Sequence, residues 1–104
     1  MARELTESWF AAQCRGAPPA LVERAAEFAR QSGAEGRVNP ESLARAGATA
    51  LQRAIVGSHD REGALDLLAA DALVTLALAA QVERDPTRLA AFAGSLLVAE
   101  PGPG

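Results

Sequence analysis

The chain has no lysine and no tyrosine, and it carries single copies of cysteine, histidine, tryptophan and methionine. One cysteine, Cys14, cannot close an internal disulfide, so the fold must be held by packing, and such usage is compatible with a reducing cytosol. A lone histidine leaves no pair of Glu-x-x-His units, the device by which helical bundles hold two metals. The basic residues are all Arg, ten in number, and are outnumbered by thirteen acids to give a formal charge of -3. The two signs are interleaved along the chain. That arrangement lacks the basic stripe of a nucleic-acid binder and the polybasic patch of a membrane-surface protein. There is also no Gly-x-Ser-x-Gly element and no glycine-rich loop following a strand, which removes the common serine-hydrolase and phosphate-binding signatures.

What remains is largely alanine, leucine and charge. At 104 residues the chain has the usual length of one domain, expected over residues 1–100, with Pro101-Gly102-Pro103-Gly104 a disordered tail. The alanine excess and the exclusive use of Arg are consistent with GC-rich coding. The N-terminus carries Arg3, Glu4 and Glu7 ahead of any apolar run and does not resemble a signal peptide, so a cytoplasmic location is expected.

Helix signals dominate. The stretch from Gly63 to Val82 is apolar on almost every side and built from Ala and Leu, so it reads as the helix on which the others pack. Asp66 and Asp71 interrupt it too early to leave a charge-free membrane span. Before it, Thr6 to Arg15 has helical spacing and stops at Gly16. Pro19 to Gln31 follows, with Leu21, Val22, Ala25, Phe28 and Ala29 on an inner face. Its outer face holds Glu23, Arg24, Glu27, Arg30 and Gln31, with Arg24–Glu27 and Glu27–Arg30 as surface pairs. Residues 32–37 form the longest irregular connection.

Asn39-Pro40-Glu41 is a cap, a first-turn proline and a dipole-favoured acid, so a third helix starts there. Leu43, Gly47, Ala50, Leu51, Ala54 and Ile55 form its expected inner face, and Gly47 marks a close helix–helix approach. Ser58 or Asp60 caps the central helix, expected over about 61–84. Asp85-Pro86 then repeats the cap-and-proline device and opens a last helix with Leu89, Phe92, Ala93, Leu96 and Leu97 on one stripe. The expected fold is all-α, a compact bundle of about five helices around the central one.

Asp66 and Asp71 lie roughly 140° apart on the central helix, so both cannot share one solvent face. Asp71 sits deeper in the apolar run and is expected to be the enclosed acid, paired with Arg45 or Arg53 or capping a neighbouring helix. A functional version places Asp71 and Thr75 at a subunit interface or small pocket. His59, Asp60, Glu62 and Asp66 gather at a helix start, where acids ordinarily serve as a solvated cap, and no metal or other cofactor is expected. Cys14 falls at a helix C-terminal end, which disfavours a thiolate. Trp9 and Phe10 are adjacent, so one helix cannot bury both rings in the same direction, and the outward ring is a candidate partner contact. Phe92 and Leu96 offer a second contact.

The expected function is protein–protein contact by a small helical protein, as a homodimer or an accessory subunit of a larger assembly. The expected contact residues are Trp9, Phe10, Asp71, Thr75, Phe92 and Leu96. The alternative is a small helical enzyme or ligand-binding protein, with a pocket between the central helix and the Trp9 helix anchored by Asp71.

Overall fold

The computed structural model describes residues 5–32, 37–57 and 60–98. Five helices appear in order: α1 Glu7–Gln13, α2 Pro19–Ser32, α3 Pro40–Val56, α4 Arg61–Arg84 and α5 Leu89–Val98. The sequence signals place most of their ends. Gly16, at a φ of 92°, turns the chain after α1 in a left-handed conformation that glycine adopts without strain. Asn39 accepts a hydrogen bond from the Ser42 N–H at 2.7 Å while Asn39 N–H donates to Ser42 Oγ at 3.1 Å, a reciprocal capping box that fixes the start of α3. Asp60 accepts from the Gly63 N–H at 3.1 Å and opens α4 at Arg61. Asp85 closes α4 through its backbone N–H and accepts from the Thr87 N–H, starting a short 3-10 turn, Pro86–Arg88, that leads into α5.

One departure from an all-helical reading lies at the edge. Leu5–Thr6 pairs antiparallel with Arg37–Val38 in a two-residue ladder, so Leu5 belongs to this ladder rather than to α1. The ladder ties the segment before α1 to the segment that enters α3.

The central helix is α4, against which α2, α3 and α5 all pack. Its contact with α3 is the most extensive and is made by small residues. A Cβ placed on Gly47 would meet Val74 Cγ2 at 3.1 Å, the Ala70 carbonyl oxygen at 3.4 Å and Leu73 Cβ at 3.5 Å. Gly47 is therefore the close-approach point that its position suggested. Around it, Leu43, Ala46, Ala50, Ala69, Leu73, Ala77 and Ala80 are fully enclosed. From α2 come Ala25, Phe28 and Ala29, and from α1 comes Phe10. No described side chain of α5 is fully buried, although Phe92 packs on the core.

By length and composition alone α4 could cross a membrane. Its inward face is instead occupied by the other helices, and Asp66 on that face is ion-paired to α2.

The expected inner face of α3 needs correction. Leu43, Gly47 and Ala50 are buried, but Leu51 is 43% and Ile55 63% exposed. They flank the seam with α4 instead of entering it. Residues 33–36, the heart of the expected long connection, and the Pro-Gly tail lie outside the described residues.

Candidate functional site

Two carboxylates on α4 have opposite fates, and they reverse the expected assignment. Asp66 is buried at 5% exposure, whereas Asp71 is exposed. At 100° per residue Asp66 shares the stripe of Ala69, Ala70, Leu73 and Ala77, the small residues against which α2 and α3 close. Arg24 on α2 answers it, donating through Nη1 to Asp66 and through Nη2 to Glu62. Arg24 is thus a half-buried bridge between two helices, not a member of an exposed surface pair with Glu27. The residues expected to satisfy Asp71 are engaged elsewhere. Arg53 lies over the Phe28 ring, 5.6 Å from its centroid, and Arg45 donates to the Ser32 carbonyl at 3.5 Å.

Asp71 makes no side-chain hydrogen bond or ion pair among the described residues. Its backbone carbonyl accepts from Thr75 Oγ1 at 3.0 Å, an ordinary helical back-bond. Around the carboxylate the outer face of α4 is apolar: Leu67 and Leu68 are each 54% exposed, Val82 45% and Val74 38%. Ala64, Leu68, Asp71, Thr75, Leu78 and Val82 recur at alternating spacings of four and three, the pattern of a helix that packs along a partner helix. Because Gly47 touches Val74 and the two helices run antiparallel, Leu51 and Ile55 extend this apolar area from α3. The open face of α3 and α4 is the candidate site.

The other expected contact residues are dispersed. Phe10 is in the core, and Trp9 is half-buried against it with an indole N–H that is enclosed and has no hydrogen-bond partner among the described residues. Phe92 and Leu96 are half-buried on α5. Of the six residues, only Asp71 and Thr75 lie together on the open face.

A cleft of about 820 Å³ separates α5 from the α3 start and the α4 end, lined by Glu41, Gln81, Arg84, Asp85, Arg88 and Phe92 among others. Its polar groups largely satisfy one another. Arg84 binds Glu41 through both nitrogens at 2.9 Å, holding the Glu41 carboxyl below its ordinary value, and Gln81 Nε2 donates to the Asp85 carbonyl at 3.0 Å. The Thr87 hydroxyl donates to Asp85 at 2.6 Å and helps to lower that carboxyl. A second cleft, about 650 Å³, lies along α2 beside Arg24 and Leu65. Neither cleft includes Asp71 or Trp9.

Among the described residues no group of three or more His, Cys, Asp and Glu side chains is placed to share a metal. His59 lies outside them. Glu62 is taken up by Arg24 and Asp60 serves as the α4 cap. Burial raises the Cys14 thiol, which disfavours the nucleophilic thiolate. Comparison with family models, curated proteins and solved structures returns no match.

Leu67 has no expected role in the sequence, and Arg24, Asp66, Leu51 and Ile55 take roles other than those their spacing predicts. The three-four spacing from Ala64 to Val82 carried the signal for the open face. It was masked because α4 is apolar on both sides.

Proposed function

We propose that the protein acts through protein–protein contact made by the open face of α3 and α4, as a homodimer or as a subunit of a larger assembly. The observation that carries this reading is the exposure of Leu67 and Leu68 on α4 and of Leu51 and Ile55 on α3, with no partner for the Asp71 carboxylate among the described residues. Isolated exposed leucines are ordinary on protein surfaces, but a contiguous apolar face on two packed helices is the usual mark of a contact surface. A helix face with this spacing suits a partner helix, which would insert side chains between those of α4.

The reading is tested with a photo-crosslinking residue at position 68 and a control at Glu23, which is exposed on α2. Crosslinking to a defined partner, or to the chain itself, from position 68 but not from position 23 supports it. Equal labelling from both positions, or none from position 68, refutes it. Leu67→Gln/Leu68→Gln should abolish the contact while retaining the helical signal and cooperative unfolding of the parent.

A further inference from the structure

The face has a symmetry of its own. Arg61, Ala64, Leu68 and Asp71 are all exposed and lie along one stripe of α4. Their spacings of three, four and three read the same in both directions. Reversed about residue 66, Ala64 exchanges with Leu68 and Arg61 exchanges with Asp71. A helix laid antiparallel on its own copy would therefore set a large side chain over a small one, and a cation over an anion.

We propose that the occupant of the first three turns of this face, residues 61–71, is a second copy of the chain, docked with α4 antiparallel to α4 about a two-fold axis at the height of residue 66, on the side of the helix opposite the buried Asp66. Asp71 of each copy then pairs with Arg61 of the other. The inference rests on reading the open face as a contact surface, and it names what covers its first three turns. Charge complementarity is the main support. Neither Arg61 nor Asp71 makes a side-chain ion pair among the described residues, and a carboxylate enclosed in an apolar interface needs a cation. Arg61 is the only cation on the stripe, ten residues from Asp71, or about 15 Å along the helix axis.

The placement of exposed apolar side chains is the second support. Leu67 and Leu68 are each more than half exposed and sit within two residues of position 66 along α4, at the height of the proposed axis, whereas Val82 lies four turns further on. The α3 end that carries Ile55 adjoins the start of α4, so it would flank the α4–α4 contact and widen it. A lipid surface is a poorer occupant, because it offers Asp71 no fixed cation within its hydrocarbon.

The test is a charge reversal read by sedimentation velocity on the full chain. The wild type is expected to dimerise, while Arg61→Asp and Asp71→Arg each place like charges opposite one another twice and weaken association at least tenfold. An equimolar mixture of the two variants regains the dimer, because both cross-pairs are then opposite in sign. So does the double variant R61D/D71R. Both substitutions are on exposed helix positions, and unchanged thermal midpoints at a concentration where all forms are monomeric confirm that each folds.

Single variants that dimerise like the wild type, or a mixture that stays monomeric, would overturn the proposal. A monomeric wild type that still crosslinks from position 68 to another protein would also overturn it, leaving the contact surface itself intact. Loss of that crosslink as well would remove both. Flotation of a monomeric wild type with phosphatidylcholine vesicles would assign the face to a membrane and sink the self-docked arrangement.

Discussion

Arg24 on α2 holds Asp66 on α4 with one nitrogen and Glu62, one helical turn earlier, with another. Asp66 retains 7% of its side-chain exposure and Arg24 22%, so the pair is largely removed from water. It fixes the height of α2 along α4.

Removing one member of this pair strands the other. Arg24→Met is expected to cost about 2–4 kcal/mol, somewhat below the range for fully buried pairs because Arg24 keeps some solvent. Arg24→Met/Asp66→Leu should recover most of that loss, since an apolar replacement of both partners leaves no orphaned charge. Urea unfolding of the two variants measures the difference. A double variant no more stable than Arg24→Met would contradict this account of the pair.

The contrast between Asp66 and Asp71 shows where sequence is legible. Helix ends at Asn39-Pro40, Asp60 and Asp85-Pro86 are visible because a cap acts within three or four residues of itself. The face of α4 that turns inward is set by α2 and α3, far away in sequence, and an all-round apolar helix carries little periodic signal of its own. Position along the chain therefore makes Asp71 the deeper acid, whereas position around the helix makes it Asp66. Its alanine neighbours Ala69, Ala70 and Ala77 held the clue, because small residues mark the side where helices approach closely. Leu51 and Ile55 were misplaced for a related reason. Gly47 permits so close an approach of the backbones that larger side chains one and two turns later are displaced to the flank of the seam.

Gly47 should tolerate a methyl group but little more. Gly47→Ala gains helix propensity of up to about 1 kcal/mol while pressing on Val74 Cγ2, so the net change is expected within about 1 kcal/mol of zero. Gly47→Leu forces α3 from α4 and should cost about 1–3 kcal/mol. Thermal and urea unfolding distinguish the two, and equal stability of Gly47→Leu and wild type would contradict the close packing.

Asn39 closes its capping box through one side-chain and one backbone bond. Asn39→Ala should destabilise the fold by about 1 kcal/mol, and Asn39→Gly by only a few tenths. Matching losses for the two variants would show that the side chain does not cap α3.

The Glu41–Arg84 pair links the start of α3 to the end of α4, and the Arg84 hydrogen bonds hold the Glu41 carboxyl below its ordinary value of 4.5. A carboxyl lowered on folding stabilises the folded state above that ordinary value, and loses the contribution as pH falls through its folded value. Side-chain exposures of 50% for Glu41 and 35% for Arg84 reduce it by solvent screening to a few tenths of a kcal/mol, at most about 1. Glu41→Gln should thus be less stable than wild type at neutral pH, with the gap closing as pH drops below about 4.5 and narrowing in high salt. A gap that widens on acidification would reverse the sign of this linkage.

The central claim, that the open face of α4 docks on its own copy, is tested most directly by mixing two single-cysteine chains in a Cys14→Ala background. One carries Ala64→Cys and the other Leu68→Cys, and direct disulfide formation is driven by mild oxidation at a concentration where the parent is dimeric, because like positions lie about 6 Å apart along the axis and a linker would span them. The antiparallel arrangement about residue 66 sets these two positions opposite each other, so the mixture should yield a covalent dimer that joins one chain of each kind. Either chain alone should yield far less. Equal crosslinking by each chain alone, or none in the mixture, would contradict the claim.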